Sequence, residues 1–177
     1  MDAEEVLEGA YRIRLPHSQD PRGSFVKLFN ETLFSSKNIR FEMKESFISF
    51  SHQRVLRGMH FQTPPFSHAK LVSCLAGKAM DVLLDLRSGK NYGRFAALHL
   101  NAETPECLFI PPGIAHGFLA EDNNTVMLYY TDIEYSPSHD TGIRWDSFGF
   151  DWNVAFSPIT STRDQNFPPF NDFISPF

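Results

Sequence analysis

The chain has 177 residues, of which 42% are hydrophobic, and a formal net charge of −5; this length and apolar content predict one compact domain over residues 1–177. Its lysines and arginines are scattered rather than clustered, which argues against binding of nucleic acid. No apolar stretch follows the acidic N-terminus, and no window approaches the ~18 apolar residues of a membrane span, so we expect a cytoplasmic protein without a signal peptide or membrane segment.

Short apolar or alternating runs, separated by Gly, Pro, Asn and Ser, recur about every ten residues, which is typical of a β-sandwich or barrel. The aromatic content of 14%, with 18 phenylalanines, also favours β-structure. The only early helix is predicted over Glu31–Lys37. In chain order, the predicted strands are Tyr11–Leu15, Ser24–Phe29, Glu45–Ser51, Val55–His60, Lys70–Ala76, Ala79–Arg87, Phe95–Leu100, Glu106–Ile110, Gly117–Ala120 and Val126–Asp132.

The predicted strand Ala79–Arg87 alternates apolar and polar residues. Asp81 and Asp85 therefore share one face, and the apolar side chains share the other. The face with the aspartates either meets solvent or, in a closed barrel, lines the internal cavity. Both possibilities remain open at this point.

The chain after Tyr135 is rich in both proline and aromatic residues. The prolines exclude a continuous helix, and the aromatic side chains are too apolar for a disordered tail. We therefore expect this segment to wrap onto the barrel through aromatic side chains that include Phe148, Phe150, Trp152, Phe156, Phe167 and Phe170.

Two consecutive predicted strands carry an unusual set of polar side chains. Strict alternation puts Arg57 and His60 on opposite faces, unless Gly58 marks a bulge. A structural role is an alternative, with His60 as a buried core histidine and Lys70 as a charge that protects a sheet edge. The set supplies a guanidinium, an imidazole, an amide and an amine, from Arg57, His60, Gln62 and Lys70.

A proline-glycine turn at Pro111–Gly113 delivers His116 to the start of a strand, in the pattern of the second half-signature of the cupin superfamily. In metal-binding cupins, the first half-signature supplies His-x-His and a downstream glutamate as ligands. This chain has His60-Phe61-Gln62 there, and no glutamate stands at the ligand spacing. We therefore expect no metal site.

Further segments follow in an order and at spacings that are close to those of one family. These segments are Asp20–Gly23, Leu56–Gln62, Lys70–Val72, Asp81–Arg87, Pro111–Phe118, Leu128–Tyr129, Tyr135–Pro137, Gly142–Trp145 and Ser161–Asp164. Together they resemble the dTDP-4-dehydrorhamnose 3,5-epimerase family, a metal-free branch of the cupins, along nearly the whole chain. The resemblance implies an all-β, cupin-type jelly-roll barrel with short peripheral helices and an aromatic C-terminal tail.

The resemblance also implies an activity. The family epimerises C3 and/or C5 of a nucleoside-diphosphate 4-keto-6-deoxysugar in deoxysugar and surface-polysaccharide biosynthesis, without a cofactor. By this likeness His60 is the general base, held by Asp164, and Tyr129 is the acid on the other face of the sugar. Lys70 would stabilise the enolate. Because Tyr130 adjoins Tyr129, a slip of one residue would exchange these two tyrosines.

Five substrate contacts are implied by the same resemblance. Four of them are expected within one subunit. Arg22 would instead bind the diphosphate in the site of a partner subunit, which presupposes the family's homodimer. The contacts within the subunit are Arg57, Gln62, His116 and Tyr135.

The residue types suit this chemistry on independent grounds. A ketone at C4 acidifies the protons on C3 and C5, but the carbanion is accessible only if a nearby donor takes up the enolate charge. Lys70 supplies such a donor. Inversion needs one group that removes a proton from one face and another that returns a proton to the opposite face. An imidazole and a phenol, from His60 and Tyr129, can fill these roles.

Some positions depart from the family pattern. Lys27 stands where the family usually has glutamate, and Glu45-Ser46-Phe47 replaces a Gln-Asp-Asn run. Buried hydrogen-bond partners discriminate strongly between ligands, so the nucleotide of the substrate stays open between dTDP, CDP and GDP. Two other functions also stay open: a metal-dependent cupin enzyme and a non-catalytic sugar-nucleotide-binding module.

Overall fold

The computed structural model describes residues 2–177, so residue 1 of the predicted domain lies outside the described residues. The strands are β1 (Ala3–Leu7), β2 (Ala10–Arg14), β3 (His17–Asp20), β4 (Gly23–Val26), β5 (Glu45–Ser51), β6 (Leu56–Gln62), β7 (Lys70–Ala76), β8 (Lys78–Asp85), β9 (Phe95–Asn101), β10 (Glu106–Ile110), β11 (Ile114–Ala120), β12 (Thr125–Thr131) and β13 (Asp140–Gly142). Helices α1 (Glu31–Ser35) and α2 (Thr162–Gln165) and a 3₁₀ turn at Phe170–Asp172 are short. None of the helices in this range is long and apolar enough to cross a membrane.

Two antiparallel sheets form the body of the molecule. The larger sheet has the order β1-β2-β10-β7-β12-β5, and the smaller has the order β13-β6-β11-β8-β9. Val72 and Met127 of the larger sheet pack in one buried cluster with Leu83 and Phe118 of the smaller sheet. The predicted all-β barrel is therefore confirmed, with its core between two facing sheets.

A second layer of core lies outside the smaller sheet. Val82 and Leu84 of β8 pack there against Phe148 and Trp152, which are buried in the C-terminal segment. The predicted wrapping of this aromatic segment is confirmed. Asp81 points to the opposite face of β8, toward the barrel interior, and is fully buried. The possibility that this face meets solvent is therefore excluded for Asp81.

The remaining elements are peripheral. Strands β3 and β4 form a separate two-stranded hairpin. Helix α1 begins after Asn30, whose side-chain oxygen accepts a hydrogen bond from Leu33 N. The buried ring of Phe34 anchors this helix to the outer face of the larger sheet, in a cluster that includes Leu71 and Tyr130.

A bulge interrupts the pairing of β6 with β11. His60 is opposite His116 and Arg57 is opposite Phe118, so two residues of β6 face the single residue Gly117. Gly58 has a φ of 140°, and a Cβ atom on it would lie 2.5 Å from the Cα of Gly117. Glycine is therefore required at the bulge. The extra residue turns Arg57 and His60 to the same side of the strand, so the bulge alternative is correct.

Candidate active site

A cavity of about 360 Å³ lies between the two sheets. Its walls come from β5, β7 and β12 of the larger sheet, from β6, β11 and β13 of the smaller sheet, and from the loops before β7 and after β12. Seven of the nine predicted site residues line it: Arg57, His60, Gln62, Lys70, His116, Tyr129 and Tyr135.

His60 and Asp164 form a hydrogen-bonded pair at the cavity wall. His60 Nε2 lies 2.9 Å from Asp164 Oδ1, and the other carboxylate oxygen accepts a bond of 3.1 Å from Gly58 N. Asp164 is in helix α2, whose N-cap, Ser161, accepts a bond from Asp164 N. Burial opposes the charge on Asp164, but the bonds from His60, Gly58 and Ser161 outweigh it, so the pKa of Asp164 is lowered. The carboxylate therefore orients the ring and leaves His60 Nδ1 as the nitrogen that can accept a proton.

Lys70 is the buried cation of the cavity. Burial lowers its pKa to about 8, although the charges of Asp140 and Asp81 act in the opposite direction. Its Nζ donates a hydrogen bond of 3.3 Å to His60 O. An ammonium in such a low-dielectric site interacts strongly with any negative charge that develops beside it.

Tyr129 faces the cavity from the larger sheet. Its ring stacks on Phe47 with the centroids 4.7 Å apart, and it packs edge to face with the ring of His116, with the centroids 6.0 Å apart. Burial, together with the charge of Asp81, raises the pKa of Tyr129, so the phenol keeps its proton at neutral pH. Tyr130 points to the other face of the sheet and packs in the cluster around helix α1.

His116 is part of a second buried pair. Its Nε2 lies 2.7 Å from Asp81 Oδ2, and both side chains are almost fully enclosed. Burial raises the pKa of Asp81, although the neighbouring His116 and Lys70 act in the opposite direction. Asp81 Oδ1 has no hydrogen-bond partner among the described residues. The His116–Asp81 pair therefore places buried polar groups at the inner end of the cavity.

Gln62 is bound by the protein itself. Its Nε2 donates to Phe66 O and to His68 Nδ1, both at 2.9 Å, and its Oε1 accepts a bond of 2.6 Å from Ser136 N. The amide thereby ties together the loops on either side of the cavity mouth, one of which carries the exposed Tyr135. Through these hydrogen bonds, Gln62 positions the loop that carries Tyr135.

The two predicted arginine contacts differ in position. Arg57 lies at the cavity, where Nε donates to Ser51 Oγ at 3.1 Å and Nη2 to Phe50 O at 3.2 Å. Arg22 lies at the tip of the β3–β4 hairpin, with a side chain that is 90% exposed and bonded to Asp20. The structure therefore does not bring Arg22 to the cavity of its own chain.

The cavity also contains residues that sequence reasoning missed. His68 and Asp140 both line it, and Asp140 forms an ion pair of 2.6 Å with Arg163. The position of His68, two residues before Lys70, was the available signal, since residues i and i+2 of an extended chain share a face. In residues 2–177, no group of three or more His, Cys, Asp or Glu side chains is arranged to hold a metal ion.

Comparison with known proteins gives consistent matches. The sequence model of the dTDP-4-dehydrorhamnose 3,5-epimerase family matches residues 4–172. An enzyme of that name from Methanothermobacter thermautotrophicus is 35% identical over 171 residues, with 94% of this chain and 92% of the relative covered. One from Shigella flexneri is 35% identical over 160 residues, with 86% of each chain covered.

Solved structures agree with the sequence comparison. The rmlC epimerase of Mycobacterium tuberculosis superimposes with a TM-score of 0.92 at 31% identity, over 97% of this chain and 90% of that one. NovW, a 4-keto-6-deoxy sugar epimerase of Streptomyces spheroides, superimposes with a TM-score of 0.91 at 27% identity, over 97% of this chain and 88% of that one. These likenesses confirm the predicted cupin-type jelly roll.

Proposed function

The chain belongs to the dTDP-4-dehydrorhamnose 3,5-epimerase family, and on that premise we propose that it inverts C3, C5 or both carbons of a nucleoside-diphosphate 4-keto-6-deoxysugar. It is an isomerase of the epimerase type. One observation carries the assignment of its site: the His60–Asp164 pair and the phenol of Tyr129 enter one cavity from opposite sheets, with the Lys70 ammonium between the same walls.

The proposed reaction begins at His60. Its Nδ1 takes the proton from C3 or C5, and the electron pair of that C–H bond moves to the C4 oxygen as an enolate. Lys70 stabilises the negative oxygen. Tyr129 then returns a proton to the carbon from the opposite face, as the electron pair moves back from the oxygen. Proton exchange with solvent restores the phenol and the neutral imidazole.

Asp164 is proposed as a positioning residue in this scheme. Its carboxylate fixes which ring nitrogen of His60 faces the sugar and stabilises the imidazolium that forms. Its low pKa keeps it charged through the neutral range, so this support persists while His60 gains and loses its proton.

The substrate's nucleotide and the assembly are further parts of the proposal. Of the positions that depart from the family pattern, Glu45 and Phe47 line the cavity, whereas Lys27 and Ser46 do not. The nucleotide therefore stays open between dTDP, CDP and GDP. The proposal also includes the homodimer expected from the family resemblance, in which Arg22 would reach the partner subunit's site. Support comes from the edge strand β5 and its exposed Ile48 and Phe50. The cytoplasmic location stays a prediction.

The test is a proton-exchange assay. The EDTA-treated protein is incubated in D₂O with 4-keto-6-deoxyglucose linked to dTDP, CDP or GDP, and deuterium at C3 and C5 is followed by NMR. We expect exchange and inversion with at least one of the three. Binding without exchange would favour the non-catalytic module, and exchange that returns only with an added divalent cation would favour a metal-dependent enzyme.

The pH dependence of this exchange should report Lys70. Only the ammonium form stabilises the enolate, and its pKa is lowered to about 8, so kcat/KM should fall as the pH rises through about 8. In Lys70→Arg the guanidinium stays charged, and whatever activity remains should show no fall near pH 8. The measurement is the exchange rate between about pH 6 and 10. An unchanged alkaline limb in the variant would assign that limb to another group.

A further inference from the structure

Two consecutive backbone amides in the loop between β12 and β13 are bound by side chains from different sheets. Tyr135 N donates a hydrogen bond of 2.7 Å to Glu45 Oε2, and Ser136 N donates one of 2.6 Å to Gln62 Oε1. Glu45 begins β5, the edge strand of the larger sheet, whereas Gln62 ends β6 of the smaller sheet. The loop is therefore held at the cavity from both sheets, at two adjacent residues.

The ring of Tyr135 depends on this backbone for its position. Tyr135 lines the cavity but is 56% exposed, so packing alone holds its side chain weakly. Exposed loops with few packing contacts are the mobile parts of folded proteins. The hydrogen bond at Tyr135 N adjoins the Cα atom that bears the ring. Loss of this bond would therefore free the ring to move.

The acceptor of that bond is a carboxylate, and this choice has two consequences. A hydrogen bond to an ionised acceptor is stronger than one between neutral groups. The same negative charge, however, lies in the wall of a cavity that we assign to a nucleoside-diphosphate sugar, which is itself an anion. Like charges repel, so the carboxylate of Glu45 weakens binding of this ligand unless its bond to the loop compensates.

We propose that Glu45 is a positioning residue, whose carboxylate fixes the loop so that the ring of Tyr135 forms a preformed wall for the bound sugar nucleotide. The inference rests on the proposed function, since it requires this ligand in the cavity. Glu45 acts through Tyr135 in this role and not on the reacting carbons. Because a wall that is already in place need not be ordered when the ligand binds, the effect falls on affinity rather than on the chemical step.

The test is a double-mutant cycle that combines Glu45→Ala with Tyr135→Ala. In the assay of exchange at C3 and C5, we expect each single variant to raise KM about tenfold and to change kcat by less than about threefold. If Glu45 acts through the ring, the double variant should have the KM of Tyr135→Ala. Independent effects would multiply to about 100-fold, and that outcome would overturn the role of Glu45.

Glu45→Gln is the matched conservative variant. The glutamine Oε1 can still accept from Tyr135 N, and the side chain has no charge to repel the diphosphate, so its KM should equal or fall below that of the unmodified chain. Glu103→Ala is the control, because Glu103 is exposed and outside the cavity; its KM should be unchanged. A KM in Glu45→Gln as high as in Glu45→Ala would contradict a role that depends on the hydrogen bond.

Amide hydrogen exchange reports the loop directly. Without substrate, we expect the amide of Tyr135 to exchange at least about tenfold faster in Glu45→Ala than in the unmodified chain, and to keep its protection in Glu45→Gln. Unchanged protection in Glu45→Ala would overturn the role of Glu45 alone. Absence of deuterium exchange at the sugar in the unmodified chain would overturn the proposed function, so the two failures are distinguishable.

Discussion

Replacement of His60 by asparagine is expected to lower the rate of deuterium exchange at C3 and C5 by about a thousandfold. The asparagine amide can still donate a hydrogen bond to Asp164, so the contact of helix α2 with strand β6 is kept. The amide has no basic nitrogen, however, and the variant loses the group that removes the proton. The measurement is the NMR exchange rate with saturating substrate.

The control for this prediction is His99→Asn, which makes the same change at an exposed histidine outside the cavity. Its exchange rate should be unchanged, and both variants should bind the sugar nucleotide about as well as the unmodified chain. If His60→Asn retained more than about a tenth of the exchange rate, another base would have to be sought in the cavity.

Tyr129→Phe should separate proton exchange from inversion. His60 still removes and returns protons on its own face in this variant, so deuterium still enters the sugar. Inversion needs a proton from the other face, and the accumulation of epimerised product should fall by about 100-fold or more. The phenylalanine ring can keep the stack on Phe47, so we expect the fold to be retained. Product and exchange are both read from one NMR time course.

The adjacent tyrosine offers a matched control. Tyr130 points to the opposite face of β12 and packs in the cluster around helix α1. Tyr130→Phe removes the same hydroxyl from the same strand, and it should leave both exchange and inversion near their original rates. Loss of inversion in Tyr130→Phe, with inversion kept in Tyr129→Phe, would reverse our choice between the two tyrosines.

Much of the fold follows from local patterns. Strands β5, β7 and β10 occupy the ranges predicted for them, because each has residues that suit a pleated, half-buried surface and is bounded by turn residues. Strands β1, β3 and β13 were not predicted. They are short, and β3 is exposed along its whole length, so no apolar period marks them. Their pairing with neighbouring strands, which a single segment cannot reveal, determines their structure.

The arrangement of the site was harder to predict from the sequence than the positions of the strands. Alternation alone could not decide whether Arg57 and His60 share a face, because the answer depends on how β6 pairs with β11. His68 gave only a weak signal beside Lys70, since its position at the cavity wall depends on its contact with Gln62. Both features are long-range properties of the folded chain.

The bulge in β6 makes the site depend on the shape of the backbone as well as on its side chains. Between Arg57 and His60 the strand has one residue more than its partner β11. If these four residues paired without the bulge, regular alternation would turn one of the two side chains out of the cavity. Because the bulge needs the backbone conformation and the missing Cβ of Gly58, substitutions of Gly58 should be removed by selection during sequence divergence even where every side chain of the site is unchanged.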